Sequence, residues 1–187
     1  MSLLFYTAFF GFSTYHAQIL MSAGVSEQAA LSIVAASRIP SILAAILVLL
    51  VIERFERRTI LVTSMVVLVV GVALVGSGAG GAVALVGSML TGLATGITAP
   101  AIYTFIVEIF PTEARATGTA IVDGVGRLGG VIAPFLFVPV LAAAGPFAIG
   151  ALTVALLLVS LVVLLSAVRV RTRGRTLEEI APQPPGR

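Results

Sequence analysis

The 187-residue chain has no cysteine, no tryptophan, no lysine and no asparagine. Without cysteine there is no disulfide framework, no thiolate metal centre and no cysteine nucleophile. The lone histidine, His16, provides neither a metal site nor a catalytic triad. A membrane-embedded serine hydrolase is excluded on the same ground, because Ser77 in the run VGSGAG ends an apolar segment and has no base nearby in the sequence. No GxxxxGK[ST] loop is present to cradle ATP. Charge is scarce as well: 10% of residues are charged and 59% hydrophobic, against about 25% and 45–50% in soluble domains. A soluble fold of this length could not cover so much apolar surface. The chain is read as an integral membrane protein, not an enzyme, with no cofactor, no metal and no nucleic-acid partner implied.

What is present sorts into long apolar runs. A membrane-spanning helix needs about 20 mostly apolar residues, and that ruler predicts an all-α membrane protein with six transmembrane helices. Their expected spans are 1–21, 28–52, 60–77, 82–107, 117–143 and 147–168, one bundle over 1–168, followed by an Arg-rich then Pro-rich tail over 169–187. Turn residues separate them: Ser22-Ala23-Gly24, Gly78-Ala79-Gly80-Gly81 and Gly145-Pro146. The first span has no basic residue before its apolar run and carries His16 and hydroxyls within it, so it reads as a mature helix and not a leader. Arg54, Arg57, Arg58, Arg115, Arg169, Arg171, Arg173 and Arg175 fall in alternate loops and the tail, while the loops after spans one, three and five have no arginine. This asymmetry places both termini in the cytoplasm.

Polar groups inside the spans are the candidate functional residues. Arg38 lies about ten residues into span two, roughly 15 Å deep, where an arginine costs about 2.5–3.5 kcal/mol even on the lenient scale. It is either a cation for a carboxylate solute or half of a structural ion pair. Asp123 and Arg127 stand four apart, on one helix face. Asp123 is either a proton acceptor or simply the neutralising partner of Arg127. His16, beside Tyr15, is a solute contact, a proton-sensing group or a packed polar residue. Gln18 and Tyr103 are further cavity candidates. The stripe Phe5, Phe9, Phe12, His16 has helical spacing and reads as packing. The pairs Gly92/Gly96 and Gly126/Gly130 read as close helix contacts.

Three stretches carry a family resemblance. Pro100-Ala-Ile-Tyr103 with VEIFPTEARATG up to Gly118 and Gly126-Arg-Leu-Gly-Gly130 resembles helices ten and eleven of a major facilitator superfamily transporter, above all the branch of sugar porters and organic-acid or metabolite proton symporters. Glu53-Arg-Phe-Glu-Arg-Arg58 resembles the D-R-x-G-R-R cytoplasmic loop, with Glu56 in place of its glycine. Thr172-Arg-Gly-Arg-Thr-Leu-Glu-Glu-Ile180 resembles the P-E-T-[KR]-G-x-x-L-E-E tail, with Val170-Arg171 in place of Pro-Glu.

The resemblance implies one six-helix half, the C-terminal one, of a two-half transporter in the plasma membrane (the inner membrane, if bacterial). The partners implied are the lipid bilayer, a small-molecule substrate, protons and a second half, supplied by another chain or a second copy. It also implies a cytoplasmic gate network of Glu53, Arg54, Arg57, Arg58, Glu108 and Arg115. The glutamines and asparagine with which sugar porters grip a hexose are missing, so the expectation is proton-coupled transport of a carboxylate. Sugar transport, or a truncated, non-transporting membrane subunit, is the alternative. The orientation is testable: cysteines introduced at Ser26, Gly80 and Gly145 should react with an impermeant thiol reagent from outside, and one at Thr172 should not. Outside labelling at Thr172 would invert the topology.

Overall fold

The computed structural model describes residues 1–51 and 56–167. The described residues form seven helices and no strand: α1 Ser2–Ser22, α2 Glu27–Ala36, α3 Arg38–Val51, α4 Arg57–Gly76, α5 Gly81–Ile109, α6 Arg115–Ala144 and α7 Pro146–Ala167. Among them, five segments are long and apolar enough to cross a membrane, with α2 and α3 counted together as Glu27–Val48. The first helix, α1, is not one of the five; His16, Gln18 and several hydroxyls dilute its hydropathy. Its 21 residues still reach about 31 Å.

The expected second span is interrupted at Ser37. Pro40 is the cause: it has no N–H to offer the Ala36 carbonyl, and its ring crowds that oxygen. Accordingly α2 ends at Ala36, and the Ser37 hydroxyl donates back to the Val34 carbonyl at 2.7 Å. Pro40 itself sits in the first turn of α3, where N–H groups have no intrahelical acceptor. Arg38 is thereby the first residue of a new helix. Three connections, after α1, α4 and α6, turn on glycines with positive φ, namely Gly24, Gly78 with Gly80, and Gly145. Pro146 then opens α7 at the position that favours it.

The helices pack in a row, α6–α1–α7–α4–α5–α3. This pattern is two-fold. The pairs α1·α6 and α1·α7 match α5·α3 and α5·α4, with α4·α7 in the middle. The core lies along that middle and includes Phe5, Phe12, Ile19, Leu61, Met65, Leu68, Phe137, Leu157 and Leu164. At the two ends, α3 and α6 turn large apolar side chains outward, among them Ile42, Leu47, Leu128, Val131 and Phe135.

Glycines set the two outer contacts. On α5, Gly92 and Gly96 face the Ser37 and Ser41 backbone carbonyls across from them. On α6, Gly126 makes room for the Tyr6 ring, Gly129 lies against the Thr7 backbone, and Gly130 touches the Phe10 ring. A methyl at Gly92 would meet a backbone oxygen, which cannot rotate away. Gly92→Ala should therefore destabilise the protein by about 1–3 kcal/mol. Gly124→Ala, with nothing within 4 Å of the added carbon, should be neutral or stabilising by up to about 1 kcal/mol. Thermal unfolding of the two variants in detergent checks the contrast.

Candidate functional site

Two polar clusters form, the first on an exposed face and the second buried between helices. The first joins α1, α5 and α6. Arg127 Nε donates to Asp123 Oδ2 at 2.8 Å, as the four-residue spacing on α6 allows. From α5, Tyr103 donates its hydroxyl to Asp123 Oδ1 at 2.7 Å, and from α1 the Tyr6 hydroxyl donates to the Tyr103 oxygen at 3.3 Å. Both oxygens of Asp123 are thus occupied. Tyr6 is the member that sequence reasoning missed. Its seat is the notch at Gly126, and no local pattern links positions 97 residues apart.

This cluster borders a recess of about 560 Å³ lined by Tyr103, Val107, Thr112, Arg115, Thr119 and Asp123, with Ala116 and Ala120 between them. It is a shallow depression, open on one side, and not an enclosed cavity. Arg115 brings a guanidinium to the recess; its Nε and Nη2, with Thr119 Oγ1, have no hydrogen-bond partner among the described residues. A second recess of about 680 Å³ between α3, α4 and α5 is walled mainly by aliphatic side chains such as Leu43, Leu47, Val67 and Leu93. It contains no charged group with which to orient a polar solute.

The second cluster surrounds a small chamber of about 30 Å³, where α1, the α2–α3 break, α5 and α7 meet. Ser13 and His16 of α1, Ser37, Arg38, Thr91 and Thr95 of α5, and Thr153 of α7 supply its polar lining. The His16 ring is buried and packs on Phe12 at 4.6 Å between centroids. Its Nε2 lies 2.9 Å from Ser88 Oγ on α5. Ser88 also escaped the sequence reading, since one serine among the hydroxyls of a span carries no distinguishing mark.

The candidate residues therefore divide. Tyr103, Asp123 and Arg127 come together; His16 and Arg38 come together elsewhere. Tyr15 stacks on Phe137 with centroids 6.3 Å apart, and Gln18 is exposed. Of the charged residues assigned to a gate, Glu53 and Arg54 lie outside the described residues, as does the side chain of Glu108, whose backbone belongs to α5. Arg58 Nη2 donates to the Leu165 carbonyl at 3.0 Å, which ties the start of α4 to the last turns of α7. Arg57 stands beside it at the first position of α4. No group of three or more potential metal ligands occurs among the described residues.

Asp123→Asn should lower thermal stability in a bilayer, since it leaves the Arg127 charge without its acceptor. The double variant Asp123→Asn/Arg127→Gln should recover most of the loss. Tyr103→Phe should cost less than Asp123→Asn, about 1 kcal/mol, for a hydrogen bond lost without stranding a full charge. Unfolding in lipid nanodiscs compares the three. The family model of the Major Facilitator Superfamily matches residues 1–185 of the chain. No curated protein matches it.

Proposed function

Because the chain belongs to the major facilitator superfamily, a family of membrane transporters, we propose that it moves a small organic carboxylate by proton-coupled alternating access, as one half of a two-half assembly. The observation that carries this reading is the recess between α5 and α6. Arg115, Tyr103 and Asp123 line it, and Arg127 pairs with Asp123 beside it. A carboxylate presents what that wall requires, an anionic acceptor for guanidinium N–H groups. A hexose would require several paired amide donors and acceptors, and the wall contains no asparagine or glutamine.

The need for a second half follows from exposure. In the single chain the Arg127 side chain is 66% exposed and that of Asp123 25%, at a depth where lipid tolerates such groups poorly. Those groups belong against water or another protein surface. A second copy or a different six-helix chain, both inserted with cytoplasmic termini, supplies that surface. Arg115 then serves the solute in one state and the cytoplasmic gate, with Glu108, Arg57 and Arg58, in another.

Uptake in proteoliposomes tests the reading, measured with the chain alone and with a supplied partner half. Arg115→Gln should raise the half-saturating concentration of an organic acid by about tenfold or more, the effect of one charged hydrogen bond. Arg115→Lys should do less. A rate loss at unchanged half-saturation would assign Arg115 to the gate alone. Equal uptake of a neutral sugar by wild type and Arg115→Gln, with no organic acid carried, would overturn the carboxylate assignment.

A further inference from the structure

We propose that His16 is the residue that takes up the coupling proton, and that protonation of His16 expels the Arg38 guanidinium from the chamber the two share. This rests on the proton-coupled reading above and adds to it the site of the proton.

The argument begins with where the hydroxyl protons go. Ser37 donates to the Val34 carbonyl at 2.7 Å, Thr91 to Gly87 at 2.8 Å, Thr95 to Thr91 at 2.7 Å, and Thr153 to Ile149 at 2.7 Å. Each hydroxyl has spent its only proton on its own helix, so what it turns to the chamber is a lone pair. Ser13 is the remaining hydroxyl. The lining is therefore rich in acceptors and short of donors. Three groups can supply donors: the Ser13 hydroxyl, the Arg38 guanidinium and the imidazole of His16.

His16 has one nitrogen to give. Its Nε2 is engaged with Ser88, which leaves Nδ1 for the chamber. The volume of about 30 Å³ admits one or two waters and nothing as large as a metabolite. In the tautomer whose Nε2–H donates to Ser88, a proton arriving through such a water forms an N–H bond at Nδ1 and leaves the water neutral again. The imidazolium then donates on both sides, from Nε2 to Ser88 and from Nδ1 to the oxygen-rich wall. It is a cation in the same small chamber as Arg38. No carboxylate lines the space to screen one from the other: α2 contributes no residue to it, the α4 lining is Leu68 and Val72, the α5 lining is Thr91, Gly92 and Thr95, and that of α7 is Thr153 and Leu157. The nearest described acid on the α6 side, Asp123, is already bound to Tyr103 and Arg127. It sits at the level of Tyr6, ten residues and about 15 Å along α1 from His16.

Arg38 can leave without unwinding a helix. It stands exposed at the first position of α3, so its guanidinium can swing away from the chamber by side-chain rotation alone. Asp123, by comparison, already accepts from Tyr103 on one oxygen and from Arg127 on the other.

Because the chain contains one histidine, its imidazole can be followed without assignment. The full chain, labelled with ¹⁵N-histidine and placed in lipid nanodiscs, is titrated by NMR as wild type, Arg38→Lys and Arg38→Gln. Both ring nitrogens should become protonated in one step, and the proton should bind about tenfold more tightly in Arg38→Gln than in wild type, with Arg38→Lys close to wild type. A ring that stays neutral down to about pH 5, or a midpoint indifferent to Arg38→Gln, would overturn the proposal. In proteoliposomes, His16→Gln should abolish stimulation of uptake by a pH gradient while solute exchange without a gradient persists; stimulation retained in His16→Gln would also overturn it. If no variant and no wild type carries any solute, the transport reading fails, and the NMR titration still decides whether His16 and Arg38 compete.

Discussion

A bilayer offers no water to a stranded polar group, and that constraint governs nearly every polar contact in this protein. Hydroxyls show it most directly. Thr7, Thr91, Thr95, Thr98, Thr104 and Thr153 each donate to the carbonyl four residues back, so they add no unsatisfied donor to an apolar span. Thr98 and Ser64 also meet at 2.8 Å between α5 and α4. Charges follow the same rule with fewer options: Asp123 takes Arg127 and Tyr103, and Arg58 takes a backbone carbonyl at a helix end. The groups that cannot be satisfied inside one chain are the ones that call for a solute, water or a second chain.

The two-fold pattern of contacts decides where those groups sit. Glycines thin α5 where it meets α3 and thin α6 where it meets α1, so each outer helix is seated by a small-residue face and turns its other face outward. Arg38 stands on one outer helix and Arg127 on the other. The outward faces of both are apolar over most of their length, with residues such as Ile42 and Phe135. A surface that is mostly apolar but carries a cation is poorly suited to lipid and well suited to a partner with a watery path between.

Much of the architecture was legible in the sequence because it depends on local chemistry. Composition and apolar run length announce membrane helices, and glycines with positive φ mark the turns after α1, α4 and α6. The spacing of Asp123 and Arg127 announces their pairing, since four residues on a helix is a contact distance. Other features depend on distant partners. The break at Ser37 follows from Pro40, but a single proline inside a span is compatible with a kink as well as with a stop. Tyr6 and Ser88 gain their roles from residues 97 and 72 positions away, and that information exists only once the helices are packed. Arg38 reads from sequence as a solute cation or half of an ion pair; in the structure it lines a small chamber together with His16. That neighbour comes from the packing of α1 against the α2–α3 break, which no residue pattern encodes.

The relation between the two clusters has a mechanical consequence. The helices α1 and α5 are not among the closely packed pairs of the bundle, yet each cluster contains a hydrogen bond between them, Tyr6 to Tyr103 and His16 to Ser88. The His16 chamber lies on this seam between α1 and α5, and the recess between α5 and α6 lies beside it. A seam held by two side-chain bonds opens at far smaller cost than one held by interlocked backbone, such as α5 on α3 at Gly92 and Gly96. Breaking one of the bonds loads the other, because both span the same two stiff helices. If His16 takes up a proton as proposed, the change in its chamber is felt at Tyr103, which donates to Asp123 at the wall of the recess. On the proposed proton-coupled reading, coupling requires no contact between proton and solute; it requires that both act on the alignment of α1 with α5.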